Sequence, residues 1–151
     1  MNPDSAASAT PHSRLSTPIF SWPIRVYWED TDAGGVVYHT GYLRYLERAR
    51  SEWLRSLGIA QQRLREERGL VFVVSEIGIR FLAAAKLDDE LDATIDSFTR
   101  RSASMVFKQY ILRRSDGLRL VEARVRAACV DAQGFRPRRI PENLLPENSN
   151  A

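Results

Sequence analysis

The residues best suited to chemistry lie in one run, Trp28-Glu29-Asp30-Thr31-Asp32-Ala33-Gly34-Gly35-Val36-Val37-Tyr38-His39-Thr40-Gly41-Tyr42. Two carboxylates stand two residues apart at the end of an apolar, strand-like stretch. A Gly-Gly loop follows, and then a long segment of helical period begins. A carboxylate facing the amino end of a helix can attack a carbonyl, or activate water against it, while free helix amides hold the carbonyl oxygen. Asp32 is the candidate for that carboxylate. The plainer alternative is an Asx-turn residue that closes the strand. Asp30 reads as a structural acid accepting backbone amides, and Glu29 as facing solvent or an arginine.

His39 has two candidate roles. Its backbone amide can bind a carbonyl oxygen at the helix entrance, or its ring can orient Asp32 or the substrate. The amide role carries more weight, because no acidic partner is obviously fixed beside the ring. The same absence, together with the lack of a nucleophile-elbow pattern, argues against a serine-type relay. Gly34 and Gly35 permit the positive φ and close backbone approach that a substrate-bearing loop needs. Tyr38 and Tyr42 flank the helix entrance as candidate walls of a binding pocket, or as ordinary core aromatics. Arg136, Arg138 and Arg139 form a basic cluster suited to phosphates. Cys129 reads as a small buried apolar side chain rather than a nucleophile.

These residues need a scaffold, and the hydrophobic pattern outlines one. Ile24, Val26 and Trp28 alternate with Arg25, Tyr27 and Glu29, which predicts a strand. Pro23 suits its edge. A helix is expected from Thr40 to Leu57, with Tyr42, Leu46, Ala49, Trp53 and Leu57 as its apolar stripe, Thr40 as cap and Gly58 as stop. Arg48 and Glu52 are spaced to pair along it. A shorter helix is expected over Ala60–Glu67, ending near Gly69. Strand signals follow at Leu70–Val74, Ile77–Phe81, Leu91–Ile95 and Met105–Leu112. Ser115-Asp116-Gly117 is a hairpin signal, and the alternation Val121, Ala123, Val125, Ala127, Cys129 is the clearest strand. One strand, one long helix, a short helix and then four strands predict an α+β layer architecture: a single helix against a mostly antiparallel sheet. Such a sheet leaves edges for a second copy to cover.

Composition sets the outer bounds. The chain has 151 residues, 44% of them hydrophobic, which suits one domain with a proper core. Residues 1–20 read as a disordered Ser/Ala/Thr/Pro-rich tail that includes His12, 21–141 as the domain, and 142–151 as a flexible C-terminus. The tail lacks the basic start and apolar stretch of a secretory signal, and no apolar run is long enough to span a bilayer. A single cysteine excludes an intrachain disulfide and fits a reducing, cytoplasmic compartment. The net charge of +3 comes from 22 basic residues, mostly arginine, against 19 acidic ones. That balance admits an anionic ligand, nucleic acid or simply a solvated surface. Paired exposed aromatics and a recognised RNA-binding module are both missing, so nucleic acid is not expected as a partner.

The stretch Arg25 to His39, continuing through Tyr42-Leu43-Arg44-Tyr45-Leu46-Glu47-Arg48-Ala49-Arg50, closely resembles the hotdog-fold acyl-CoA thioesterases. Within them it is most similar to the YbgC-type branch, which is associated with the Tol–Pal envelope system and related to 4-hydroxybenzoyl-CoA thioesterase. Ala84-Ala85-Lys86-Leu87-Asp88-Asp89 and Ala128-Cys129-Val130-Asp131 extend the likeness over roughly residues 20–141. The resemblance implies a hotdog fold and hydrolysis of an acyl-CoA thioester to a free acid and CoA, with no metal and no organic cofactor. It implies a homodimer or a dimer of dimers (a homotetramer), and association with envelope or lipid-synthesis proteins. It carries the catalytic acid onto Asp32, as general base or nucleophile, and the oxyanion-binding amide onto His39. Gly35, Tyr38, Tyr42 and Val74 become substrate-binding candidates, with Val73 to Ser75 bordering the acyl site across a dimer interface. A helix glutamate serves as base in another hotdog branch, which makes Glu47 the secondary acid, against a surface pair with Arg44 or Arg50. The rival readings are a hotdog hydratase or dehydratase using His39 with Glu47, a non-catalytic envelope or lipid-complex partner, and an RNA-binding protein.

Overall fold

The structure, a computed structural model, describes residues 17–148. Most of the expected N-terminal tail, His12 included, and residues 149–151 lie outside that range. The chain runs through β1 (Phe20–Arg25), α1 (Gly41–Ser56), α2 (Gln61–Arg68), β2 (Leu70–Phe81), β3 (Glu90–Ile95), β4 (Ser97–Arg100), β5 (Ser104–Arg113) and β6 (Arg119–Asp131). Every pairing among the described strands is antiparallel, in the order β1-β3-β5-β6-β2, with β4 continuing along β5 past the end of β3. Helix α1 lies on β1, β3 and β5. One long helix on one antiparallel sheet is the expected α+β architecture. No helix among the described residues is long and apolar enough to cross a membrane.

The core sits between α1 and the sheet. Tyr42, Tyr45, Leu46, Ala49, Trp53 and Leu54 are the buried apolar residues of α1. Trp53 packs on Phe98 and Phe107 with ring centroids 4.9 and 5.6 Å away, a three-ring cluster that ties the helix to β4 and β5. In β6 the predicted face, Val121 to Cys129 at every second residue, points inward. Cys129 is fully buried, and β6 itself runs between β5 and β2. Gly58 ends α1 as expected. Its N–H donates to the Arg55 carbonyl and the Ile59 N–H to the Leu54 carbonyl, and φ of +82° at Gly58 is the left-handed value that this cap requires.

Several local expectations are corrected. The strand beginning at Phe20 ends at Arg25, and Trp28–Asp30 form a turn of 3-10 helix. That turn breaks the period-two alternation, so Ile24 and Val26 are buried while Trp28 is 79% exposed. The runs 70–74 and 77–81 are one strand, β2, whose register against β6 shifts between Val74 and Glu76. The extra residue there is Ser75, a bulge that keeps both halves on the same ladder. A strand not anticipated, β4, follows β3 after Asp96. Thr40 occupies the cap position of α1 without a side-chain cap bond, Leu57 is exposed while Leu54 fills the stripe, and Glu52 pairs with Arg55 rather than Arg48. The stretch after Pro141 makes defined contacts. Leu145 is buried, the Arg100 Nη1 donates to the Glu142 carbonyl (2.9 Å), and Asn148 accepts the Arg100 amide (2.6 Å).

Candidate active site

The loop from Trp28 to Thr40 is held by backbone bonds on both sides. Thr31 bridges Val37, and Val36 bridges Lys86. The Val37 N–H donates to the Ala85 carbonyl (2.9 Å) and the Tyr38 N–H to the Asp30 carbonyl (2.8 Å). Asp30 is only 5% exposed, and its carboxylate accepts the Tyr27 N–H at 2.8 Å, the structural role expected of it. Asp32 is exposed. Its N–H donates to the Val36 carbonyl (2.9 Å), its own carbonyl accepts the Gly35 N–H (3.0 Å), and its Oδ1 accepts the Gly34 N–H (2.8 Å). This is the Asx turn, and it aims rather than consumes the carboxylate, because Oδ2 accepts no bond from the described residues. The two glycines matter for different reasons. A Cβ at Gly34 would stand 3.1 Å from Asp32 Oδ1, whereas Gly35 has φ of +78° and open space around it.

Just beyond, the chain turns into α1. The Gly41 N–H donates to the Tyr38 carbonyl (2.7 Å) and the Leu43 N–H to the Thr40 carbonyl (3.1 Å). The N–H groups of His39 and Thr40, just ahead of the first residue of α1, have no acceptor among the described residues. Around them lies an aromatic group. The His39 ring is 4.5 Å from Tyr38 and meets Phe81 edge-on at 6.3 Å, and Phe81 lies 5.9 Å from Tyr42. Tyr38 and Phe81 are open to solvent. Tyr42 is 3% exposed, and its hydroxyl accepts the Ala85 N–H at 3.0 Å. Burial raises the Tyr42 hydroxyl pKa; the Ala85 bond opposes the shift, and the negative charges of Asp89 and Asp32 add to it. Asp32 is therefore within electrostatic reach of the ring that anchors the helix entrance.

The other two candidates, Glu47 and Val74, meet elsewhere. They line a cleft of about 90 Å³ between α1 and β2, walled also by Phe72, Met105 and Phe107. Glu47 accepts the Ser51 hydroxyl (2.6 Å), which in turn accepts Gln61 Nε2 (2.9 Å); neither Arg44 nor Arg50 pairs with it. Arg50 lines the same cleft and is 8% exposed. Its Nη1 donates to Gln109 Oε1 (2.9 Å), and Gln109 Nε2 donates to the carbonyls of Leu46 and Thr94 (3.1 Å each). Burial brings the Arg50 pKa down to about 10, with Glu47 opposing. At 1.5 Å per residue, Glu47 and Arg50 stand roughly 12 and 17 Å along the helix from His39. Within one chain, then, the helix entrance and the cleft are distinct, and His39 and Glu47 do not converge as an acid–base pair.

The basic cluster near the C-terminus is also remote. Phe81 pairs with Val121 at the start of β6, whereas Arg138 bonds back to Cys129 near its other end, roughly 26 Å along the strand at about 3.3 Å per residue. Among the described residues, no three His, Cys, Asp or Glu side chains converge as metal ligands. Two residues that sequence reasoning passed over matter here. Phe81 was legible only as a strand residue, since its packing on His39 depends on where β2 ends. Arg50 looked like one more helix charge; its place on the buried stripe, four residues past Leu46 and three before Trp53, was the available signal.

Residues 26–147 match the family model of the thioesterase-like superfamily. The acyl-CoA thioester hydrolase YbgC of Escherichia coli O6:H1 is 44% identical over 133 residues, 88% of this chain and 98% of that protein. The acyl-CoA thioesterase YbgC of Haemophilus influenzae is 46% identical over 125 residues, 83% of this chain and 90% of that one. Among solved structures, a probable thioesterase from Bartonella henselae superposes with a TM-score of 0.75 at 37% identity, covering 80% of this chain and 98% of that chain. With this sheet order, helix placement and breadth of similarity, the chain belongs to the thioesterase-like, hotdog-fold superfamily, in its YbgC-type branch.

Proposed function

We propose that the protein hydrolyses the thioester of an acyl-CoA to a carboxylic acid and CoA, with Asp32 as the reacting carboxylate and the His39 N–H as oxyanion donor. The observation that carries this reading is the presence, in one loop, of two unfilled groups: a fixed carboxylate with one free oxygen, and an amide without an acceptor at the mouth of α1. The names of the YbgC relatives support the same chemistry. In the general-base route, Asp32 takes a proton from water as the resulting hydroxide bonds to the carbonyl carbon. The carbonyl oxygen gains the negative charge, stabilised by the His39 N–H and the helix dipole. The C–S bond then breaks, and the thiolate of CoA leaves and collects the proton. A thiol pKa of about 8.5 makes that departure easy, so no strong general acid is needed. In the nucleophilic route, an Asp32 oxygen bonds to the carbon and expels the thiolate, and water cleaves the mixed anhydride. A single turnover in H2(18)O tests the nucleophilic route, because label in the Asp32 carboxylate requires hydrolysis of an anhydride formed on that side chain.

The active unit we propose is a homodimer formed through β2. That strand closes one side of the sheet, is 12 residues long, and exposes Val74, Ile77 and Phe81. An open edge of that length invites another strand. Two-fold pairing of β2 with its copy would continue the sheet and bring the Phe81 end of one chain alongside the Leu70 end of the other. The helix entrance of one copy would then face the Val74 cleft of its partner, joining the two halves that lie apart in one chain. A dimer of dimers and envelope or lipid-synthesis partners follow from the resemblance alone, and a cytoplasmic location from the single cysteine; sedimentation, co-purification and fractionation test them in turn. For the chemistry, Asp32→Asn is expected to lower kcat by about 10²- to 10⁴-fold with the fold unchanged. Near-native turnover by that variant would remove Asp32 from the mechanism.

A further inference from the structure

Arg50 is an unusual group to find where it lies. Charged side chains are almost never fully buried unless a counter-charge accompanies them, because the low-dielectric interior penalises a lone cation. Arg50 is 8% exposed, yet it forms no ion pair among the described residues. Its one protein acceptor is the neutral amide oxygen of Gln109. A guanidinium has five N–H donors. The remaining ones are not sealed away either, since among the described residues the buried side-chain atom without a partner is the Tyr45 hydroxyl, not a nitrogen of Arg50. Arg50 lines the cleft between α1 and β2. Glu47 stands at the exposed rim of that cleft, bonded to Ser51, so solvent screens its charge more than it screens Arg50. Ser51 and Gln61 also line the cleft, and the rest of the wall is apolar, with Phe72, Val74, Met105 and Phe107 among its residues.

We infer that Arg50 is a specificity-determining residue that binds a carboxylate at the far end of the acyl group, so that the preferred substrates are CoA thioesters of short dicarboxylic acids. This rests on the thioesterase reading and on the β2 dimer, in which the reacting carbon lies at the helix entrance of the partner. The cleft is small, about 90 Å³, with room for a carboxylate beside Arg50. The planar fork of arginine matches two carboxylate oxygens, and Gln109 fixes one edge of that fork in place. Phe72 and Val74 exclude water from the pair and cover the methylene chain.

The test compares thioesters of equal length, glutaryl-CoA and pentanoyl-CoA, by thiol release. The wild-type protein is expected to favour glutaryl-CoA in kcat/KM by at least about tenfold, the low end for hydrogen bonds to a charged group. Arg50→Met should collapse that ratio by about the same factor, and Arg50→Lys should restore part of it, a pattern that loss of packing alone would not produce. Free glutarate should compete with substrate better than pentanoate does, which keeps the idea testable if the variants fold poorly. Equal or better turnover of pentanoyl-CoA by the wild type, or an unchanged ratio in Arg50→Met, overturns the role of Arg50 and leaves the thioesterase reading standing. Failure to hydrolyse any acyl-CoA overturns the reading beneath it.

Discussion

Asp30 and Asp32 stand two residues apart in one loop, yet they occupy opposite regions of it. Asp30 faces inward, 5% exposed, with its carboxylate bonded to the Tyr27 amide and its carbonyl to the Tyr38 amide. Asp32 faces outward, with one oxygen held by Gly34 and the other open. Asp30 is the last residue of the 3-10 turn, and the chain leaves that turn through Thr31 in extended conformation before it reaches Asp32. Identical chemistry in the sequence thus becomes a fastening on one side and, in the proposed mechanism, a reagent on the other. A reacting carboxylate must be fixed in direction yet left with a free lone pair, and an Asx turn meets both needs with a single bond.

The contrast can be broken by variants that should affect activity and stability in opposite ways. Asp32→Asn has the largest expected effect, the loss of kcat by several orders of magnitude proposed above, with no change in the denaturation midpoint; a drop in stability instead would make Asp32 a second fastening. Asp30→Ala should do the reverse. Leaving the Tyr27 amide without its acceptor is expected to cost about 1–3 kcal/mol in urea denaturation, with residual kcat in the folded fraction. Gly34→Ala tests the aim of Asp32. A Cβ 3.1 Å from Oδ1 must displace the carboxylate, so kcat should fall severalfold while stability changes by about 1 kcal/mol or less. The smallest effect belongs to Tyr45→Phe. The Tyr45 hydroxyl is fully buried without a hydrogen bond of normal geometry, and burial, followed by the nearby Asp30 charge, pushes its pKa well up. Removing it should leave stability unchanged or higher by about 1 kcal/mol; a clear loss would show that Asp30 and Tyr45 act together.

Much of the fold was legible because its strongest elements are amphipathic. The alternation in β6 and the helical stripe of α1 specify which faces turn inward, and tertiary packing agreed with both. What escaped was local geometry that periodicity cannot carry. Trp28 continues an apolar alternation on paper, but a three-residue turn reverses its direction. Ser75 looks like a break between two strands and is a bulge within one. Strand β4 is four residues long and depends on β5 for its partner, so no window around Phe98 announces it. At the candidate site, Asp32 and the His39 amide were legible because both belong to one contiguous run. Phe81, which packs on His39 from β2, and Arg50, which meets Gln109 from β5, were not, because each depends on a contact made far away in the chain.

Cys129 has a practical bearing on all of these measurements. It is the only sulfhydryl in the 151-residue chain, it has no exposed surface, and burial raises its pKa, so very little of it is thiolate at neutral pH. A chromogenic disulfide that captures liberated CoA should therefore find no competing reaction with the folded protein. Because Cys129 points into the core, modification of that sulfur requires the packing over it to open, and the slow rate at which the reagent eventually gains entry becomes a clock for that opening.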